Sequence, residues 1–451
     1  MKPHTESVCP VCLKRIPAQR TEQDGNIYLE KTCPEHGFFR TLIWEGKPDY
    51  QSWGKAPRAT RVLSDERVKR GCPYDCGLCS QHRQRSCCVL LEVTQRCNLG
   101  CPVCFAEAGR EDKDPDLHTV EGWFDRLREL APKANIQLSG GEPTVRDDLP
   151  EIIRLGREKG FTFFQLNTNG LRLAREPDYA AKLKAAGLSC VFLQFDGVDD
   201  APYIALRGKP LFEEKSRAVK NCAAAQLGVV LTPTLAMDVN LDQVGRIIRF
   251  AMERLPAVRG VHFQPMSYFG RYPGAPEKRV TLPRLCREIE AQTGGAFSAE
   301  DFLGGTAEHP LCSFSCNYLL RPDGTVENVS PRSSCCCCGD DGEEDGEEDG
   351  SEALNPRTAV EKARDTVSRR WGGAVPEAEA PPDDLDGLDG MLYLLKHRRF
   401  SLSAMAFQDA WNLDLERLQN CYVHVLSPDG RLIPFCAYNL TSAEGKALHR
   451  R

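Results

Sequence analysis

The sequence predicts an α/β fold. A partial barrel of six parallel β/α units is expected, with a metal-binding ribbon before it and a hairpin-rich, cysteine-bearing module after it. Three observations carry this. Short apolar runs alternate with amphipathic stretches between residues 88 and 270. The N-terminal segment holds Cys9-x2-Cys12-x20-Cys33-x2-His36, which is metal-ligand spacing. Cysteines recur throughout, 22 in 451 residues, and group at short intervals.

With 41% hydrophobic residues the chain can build a large core without disulfide staples, which argues against a small secreted scaffold. The start has no apolar signal region, and no run of 18 apolar residues occurs. A reducing, cytoplasmic setting is therefore expected, where cysteines serve as metal ligands or catalytic groups. The net charge of −6 is uneven: nine acids lie between Asp340 and Glu352, and without them it becomes +3. No basic-aromatic patch points to nucleic acid, so no nucleic-acid partner is expected.

The ribbon occupies residues 1–55. Its three thiols and one imidazole suit one tetrahedral ion, zinc or iron. Residues 56–88 carry Cys72-x3-Cys76-x2-Cys79, with Cys87 or Cys88 able to complete a four-thiolate shell and His82 a weaker candidate. A complete shell gives a closed cluster suited to electron transfer.

The barrel is expected over 89–300. Its strands are read at 89–93, 136–138, 161–166, 190–195, 229–235 and 261–263. Helical spacing links Val120, Trp123, Phe124, Leu127 and Leu130, and again Leu241, Val244, Ile247, Ile248 and Met252. Parallel strands need such crossovers. Cys190, Cys222 and Cys286 lie in apolar surroundings and are assigned to the core.

Residues 331–390 combine Cys335-Cys336-Cys337-Cys338, the acidic run and a Pro/Asp/Ala-rich stretch, and read as a mostly disordered insertion. The C-terminal module comprises 301–330 and 391–451. Ser427-Pro428-Asp429-Gly430 predicts a hairpin. A two-residue Pro428-Asp429 loop would set Cys421 opposite Cys436 at its base. Arg321-Pro322-Asp323-Gly324 repeats the phrase after Cys312 and Cys316, so these four cysteines are expected to share a metal.

Within the barrel, Cys97-Asn98-Leu99-Gly100-Cys101-Pro102-Val103-Cys104 puts three thiols on one loop after the first strand. Three thiolates can hold three irons of a [4Fe–4S] cube and leave the fourth open to a small molecule. Polar groups follow at successive strand ends: Ser139-Gly140-Gly141-Glu142-Pro143, Asn167-Thr168-Asn169-Gly170, Gln194-Phe195-Asp196-Gly197 and Gln264. In a β/α barrel such ends converge on one mouth.

Over about 88–270 these motifs resemble the radical S-adenosylmethionine (radical SAM) superfamily. The resemblance implies that Cys97, Cys101 and Cys104 ligate the cluster. It implies that Gly140-Gly141-Glu142-Pro143 binds the methionine amino group of S-adenosylmethionine, and Ser139, Asn167, Asn169, Gln194, Asp196 and Gln264 are the further cofactor-binding candidates at the strand ends. An electron from the cluster would then release a 5′-deoxyadenosyl radical, which abstracts hydrogen from an unactivated carbon. No catalytic residue beyond the cluster is implied. Val103 departs from the aromatic residue many members carry there.

The ribbon with Cys33-Pro34-Glu35-His36-Gly37, Gly71-Cys72-Pro73-Tyr74-Asp75-Cys76-Gly77-Leu78-Cys79, His309-Pro310-Leu311-Cys312, and Asp414-Leu415-Glu416-Arg417 through Phe435-Cys436 narrow the resemblance. They are similar to the tetraether lipid synthase family and its pterin-methylating relatives. That resemblance implies a transferase with one SAM-binding and two auxiliary [4Fe–4S] clusters, S-adenosylmethionine, and a reductant such as flavodoxin or ferredoxin. Carbon–carbon bond formation on lipid chains is the leading expectation, and a peripheral membrane contact stays open. Radical methylation of a pterin precursor is the alternative; a non-catalytic iron–sulfur electron carrier is a third reading. Lipid coupling predicts a long apolar tunnel, and a pterin predicts a compact pocket with polar groups along its edge.

Overall fold

The computed structural model describes residues 3–54, 68–77, 79–109, 113–274, 278–305, 307–330, 359–372, 375–377 and 379–450. The four adjacent cysteines 335–338 and the acidic run lie outside them.

The ribbon is an antiparallel sheet of β1 (His4–Val8), β2 (Arg15–Gln23), β3 (Asn26–Cys33) and β4 (Gly37–Glu45), in that order. Alternation in Arg15–Gln23 buries Ile16, Ala18 and Arg20 on one face. The barrel strands are β5 (Cys88–Thr94), β6 (Asn135–Gly140), β7 (Phe164–Thr168), β8 (Cys190–Gln194), β9 (Val229–Thr232), the short β10 (Thr234–Leu235) and β11 (Val258–Pro265). β5, β6, β7, β8, β9 and β11 pair in parallel in chain order, as the apolar runs predict.

Helices α1 (Leu117–Leu130), α2 (Leu149–Glu158), α3 (Leu171–Arg175), α4 (Tyr179–Ala186), α5 (Ala201–Arg207), α6 (Phe212–Ala224) and α7 (Val244–Met252) form the crossovers, and α8 (Leu282–Gln292) follows the last barrel strand. Asp116 caps α1 by accepting from the Thr119 amide at 2.8 Å, and Val120, Phe124 and Leu127 face the core. Cys190, Cys222 and Cys286 are fully buried, as expected of core residues.

The barrel extends beyond six strands. Further strands are β12 (Leu303–Gly304), β13 (Ser313–Leu320), β14 (Val326–Asn328), β15 (Arg399–Met405), β16 (Val423–Leu426) and β17 (Leu432–Pro434). β15 pairs in parallel with β11, and β16 pairs in parallel with β5. The C-terminal module is thus part of the barrel sheet, covering both of its edges. The β13–β14 hairpin turns at Arg321–Thr325 as predicted.

The second hairpin differs. Val425 pairs with Ile433, and Ser427 donates to Arg431 O at 2.9 Å, so the loop has three residues, Pro428-Asp429-Gly430. Gly430, at φ +80°, supplies the left-handed position such loops use. Cys436 leaves the ladder altogether, because Phe435–Tyr438 turns into a short helix. The expected pairing of Cys421 opposite Cys436 is therefore corrected.

The expected disorder over 331–390 is corrected where the chain is described. Ala359–Trp371 and Leu388–His397 are helices α9 and α10, and Leu415–Gln419 and Phe435–Tyr438 are α11 and α12. Val360, Ala363, Val367 and Trp371 recur at helical spacing, and Trp371 packs on Phe192 with ring centroids 4.8 Å apart. The surrounding composition masks that pattern. Among the described residues no helix is long and apolar enough to cross a membrane.

The ribbon docks on residues 410–416. Arg20 pairs with Asp414 at 2.6 Å, with both side chains 3% exposed, and Lys31 donates to Ala410 O at 2.7 Å. Replacing Arg20 by Ala leaves Asp414 buried without its cation. A loss of about 3–5 kcal/mol is expected in chemical denaturation, and part should return in an Arg20→Met/Asp414→Leu double variant.

Candidate active site and metal centres

The three-thiol loop leaves β5 at the barrel mouth. Its position is set by the strand next door. The Gly141 amide donates to Thr94 O at 2.8 Å and the Glu142 amide to Arg96 O at 2.9 Å. A Cβ on Gly140 would sit 2.2 Å from Thr94 O, and one on Gly141 would sit 2.2 Å from Arg96 O. Only glycine lets the two backbones pass.

From the other side, Arg207 at the end of α5 donates to Asp196 at 2.7 and 2.9 Å, to Thr234 Oγ1 at 2.9 Å and to Val103 O at 3.2 Å. Cys104 exchanges backbone hydrogen bonds with Arg271 at 2.9 and 3.0 Å. Leu99 anchors the loop among Leu171, Tyr203 and Leu211. Burial pushes the Cys97 thiol up to about 12 and raises Cys101, with the Arg207 cation opposing the latter.

Cys97, Cys101 and Cys104 face a compact cavity of about 230 Å³. Ser139, Gly140, Gly141, Glu142, Asn167, Asn169, Gln194 and Gln264 share its wall, as the strand-end reading predicts. Phe105, Phe269, Phe407 and Phe435 add an aromatic side.

Two expected cofactor contacts are corrected. Pro143 is off the wall because it starts a tight turn, Pro143–Val145. Asp196 is fully buried and committed to Arg207 and to the Thr234 amide at 3.0 Å. Glu142 touches the cavity, but its carboxylate is occupied by Thr144, by Thr168 Oγ1 at 2.7 Å and by the Asn169 amide at 2.6 Å. It locks one strand end to the next.

Arg207 and Lys215 escape sequence reading, since neither lies in a spaced motif. Lys215 is buried, donates to Gln194 Oε1 at 2.7 Å and to Asn169 O, and is pulled down to about 8 by desolvation.

In the ribbon, the donor atoms of Cys9, Cys12, Cys33 and His36 all lie within 4.8 Å of one another. Cys33 Sγ is 3.5 Å from His36 Nδ1 and 3.9 Å from Cys12 Sγ. Contact with His36 draws the Cys33 thiol down to about 6, while burial raises Cys9 to about 11. Among the described residues this is the one group whose donors are close enough to share a single ion. Among the described residues neither thiol triad brings all three of its donors that close together.

Cys72, Cys76 and Cys79 line one small cavity with His82. Cys87 is not among them: it is buried against Ala307 and Val360, because the strand starting at Cys88 turns it to the other side. Cys88 reaches Gln137 Oε1 at 3.5 Å instead.

Burial raises the Cys421 and Cys436 thiols, and the nearby Cys312 adds to both shifts. Arg417 Nη2 approaches Cys312 Sγ at 3.5 Å. Cys316 does not join them. Pro310–Cys312 is a tight turn, so Cys316 takes the strand's own alternation and contacts Asn328 Oδ1 at 3.3 Å and Ser330 Oγ at 3.2 Å.

The chain is similar to known proteins over most of its length. Residues 1–45 match the HMPTM N-terminal zinc ribbon domain and residues 91–251 the radical SAM superfamily. The chain is 37% identical to the 7,8-dihydro-6-hydroxymethylpterin dimethyltransferase of Methanocaldococcus jannaschii, over 97% of this chain and 94% of that one. It is 28% identical to the GTP 3′,8-cyclase of Chlorobaculum tepidum over 51% of this chain and 72% of that one. Streptococcus suis SuiB with its precursor peptide SuiA superposes at a TM-score of 0.40, with 16% identity, over 47% of this chain and 46% of that one.

Gly141→Ala should displace the loop carrying Cys97, Cys101 and Cys104 and abolish the iron signal that responds to S-adenosylmethionine. Gly122→Ala, on α1 with nothing within 4 Å of its new Cβ, should leave that signal intact. Electron paramagnetic resonance (EPR) of the reduced proteins distinguishes the two.

Three thiols on a glycine-gated loop at a β/α-barrel mouth, and kinship along almost the whole chain, lead to one assignment: the chain is a radical SAM enzyme, and it belongs to the family of the 7,8-dihydro-6-hydroxymethylpterin dimethyltransferase.

Proposed function

We propose that the chain methylates a reduced 6-hydroxymethylpterin-type substrate by radical chemistry, with the methyl group coming from a one-carbon donor separate from the S-adenosylmethionine that supplies the radical. Near full-length kinship to the pterin dimethyltransferase carries this reading. It supports the pterin alternative over the leading expectation of lipid coupling.

The cavity is consistent with it. A compact space bordered by Gln137, Asn167, Gln194 and Gln264 suits a heterocycle with amide-like edges better than an acyl chain. Gln137 donates to Asn167 Oδ1 at 2.9 Å, and Gln194 is held by Lys215. The Gln264 carboxamide has no hydrogen bond among the described residues, so its donor and acceptor are open to a ligand.

In this proposal Cys97, Cys101 and Cys104 hold the SAM-binding cluster. The donor set fits, with three thiols and space beside them where Gly140 and Gly141 lack side chains. When bound, the cluster and S-adenosylmethionine supply a 5′-deoxyadenosyl radical, which takes hydrogen from an sp3 carbon. Ser139 and the Gly140-Gly141 backbone line the cavity in which the cofactor would be held. Asp196 fixes Arg207, Arg207 fixes the loop, and the aromatic wall excludes water.

The test is hydrogen transfer. With dithionite and a pterin deuterated at its ring and hydroxymethyl carbons, deuterium should appear in 5′-deoxyadenosine. Deuterium arriving from a perdeuterated lipid and not from the pterin would overturn the proposal. Gln264→Leu should raise the KM for the pterin about tenfold, the cost of one unmatched polar group.

A further inference from the structure

We propose that His82, not Cys87, is the fourth protein ligand of an iron–sulfur cluster held by Cys72, Cys76 and Cys79. The three thiols and the imidazole are each at most 8% exposed and line the same small cavity, closed by Leu418 and Pro434. The His82 amide donates to Cys79 O at 2.9 Å, so a turn joins the two residues.

The proton positions of the ring follow from its neighbours. His82 Nε2 lies 2.8 Å from Cys421 O, and a carbonyl only accepts. Nε2 therefore carries the hydrogen. The same atom lies 3.1 Å from Nε2 of His424, which is held in turn by Ser86 Oγ at 3.0 Å from its Nδ1.

A neutral imidazole protonated on Nε2 has its lone pair on Nδ1, and among the described residues no hydrogen bond reaches that atom. A backbone carbonyl fixing one ring nitrogen while the other is left bare is the arrangement that orients a metal-binding histidine. His424 and Ser86 then form the outer layer that fixes the ring. Replacing one thiolate by a neutral imidazole makes the shell less negative and raises the potential, so this cluster accepts an electron more readily than an all-thiolate one.

The inference is independent of the substrate, and so is its test. The full chain is purified anaerobically, labelled with 15N-histidine, reduced with dithionite and studied by pulsed EPR. A nitrogen coupling of directly bound imidazole is expected in the unsubstituted protein. It should vanish in His82→Cys, with iron content retained and the potential of that cluster lowered. Cys87→Ala should change neither iron content nor coupling. Absence of the coupling in the unsubstituted protein, its persistence in His82→Cys, or loss of iron in Cys87→Ala would each overturn the assignment. None of these results bears on whether the substrate is a pterin.

Discussion

The barrel mouth depends on one close passage of two backbones. Gly140 and Gly141 run beside Thr94 and Arg96 with no room for a side chain, and their hydrogen bonds fix where the cysteine loop begins. Other features lean on that contact. Glu142 emerges from it already aimed at Thr168 and Asn169, tying β6 to β7. The far end of the loop is held by the buried Asp196–Arg207 pair through Val103 O. A buried pair of this kind adds little net stability but tolerates few alternative geometries. Here it converts a flexible eight-residue loop into a rigid holder of three thiols.

Much of this was legible in the sequence because chemistry and periodicity coincided there. The six parallel strands announce themselves as apolar runs at β/α intervals, and the strand-end polar groups converge as a barrel requires. The ribbon's four ligands are readable from spacing alone, since a turn and a strand pair suffice to bring them together. What was hidden depends on long-range pairing. Cys87 precedes β5 by one residue and the strand's alternation takes it away from the triad. Cys316 is four residues from Cys312, yet Cys312 ends a tight turn and Cys316 lies on the strand that follows, which separates their directions. Residues 400–404 alternate Phe-Ser-Leu-Ser-Ala, but nothing local states that this strand joins the barrel edge beside β11. Arg207 has no motif at all. Its role exists only once Asp196 and Val103 are folded against it.

The metal-holding parts differ in how far apart they set their donors. The ribbon gathers three thiols and an imidazole around one point, which suits a single ion. The barrel loop sets its thiols beside a cavity of about 230 Å³. The C-terminal module places the other thiols along the barrel's edges, where β16 joins β5 and β15 joins β11. The ribbon is a sheet of its own, while the three-thiol loop follows a strand of the barrel sheet.

The central claim is that Cys97, Cys101 and Cys104 hold an open cluster to which S-adenosylmethionine binds. Pulsed EPR of the reduced protein with S-adenosylmethionine carrying 15N in its amino group tests it directly. A nitrogen coupling to the cluster is predicted, and its loss in Cys101→Ala. A coupling that survives Cys101→Ala, or none in the unsubstituted protein, would contradict the account.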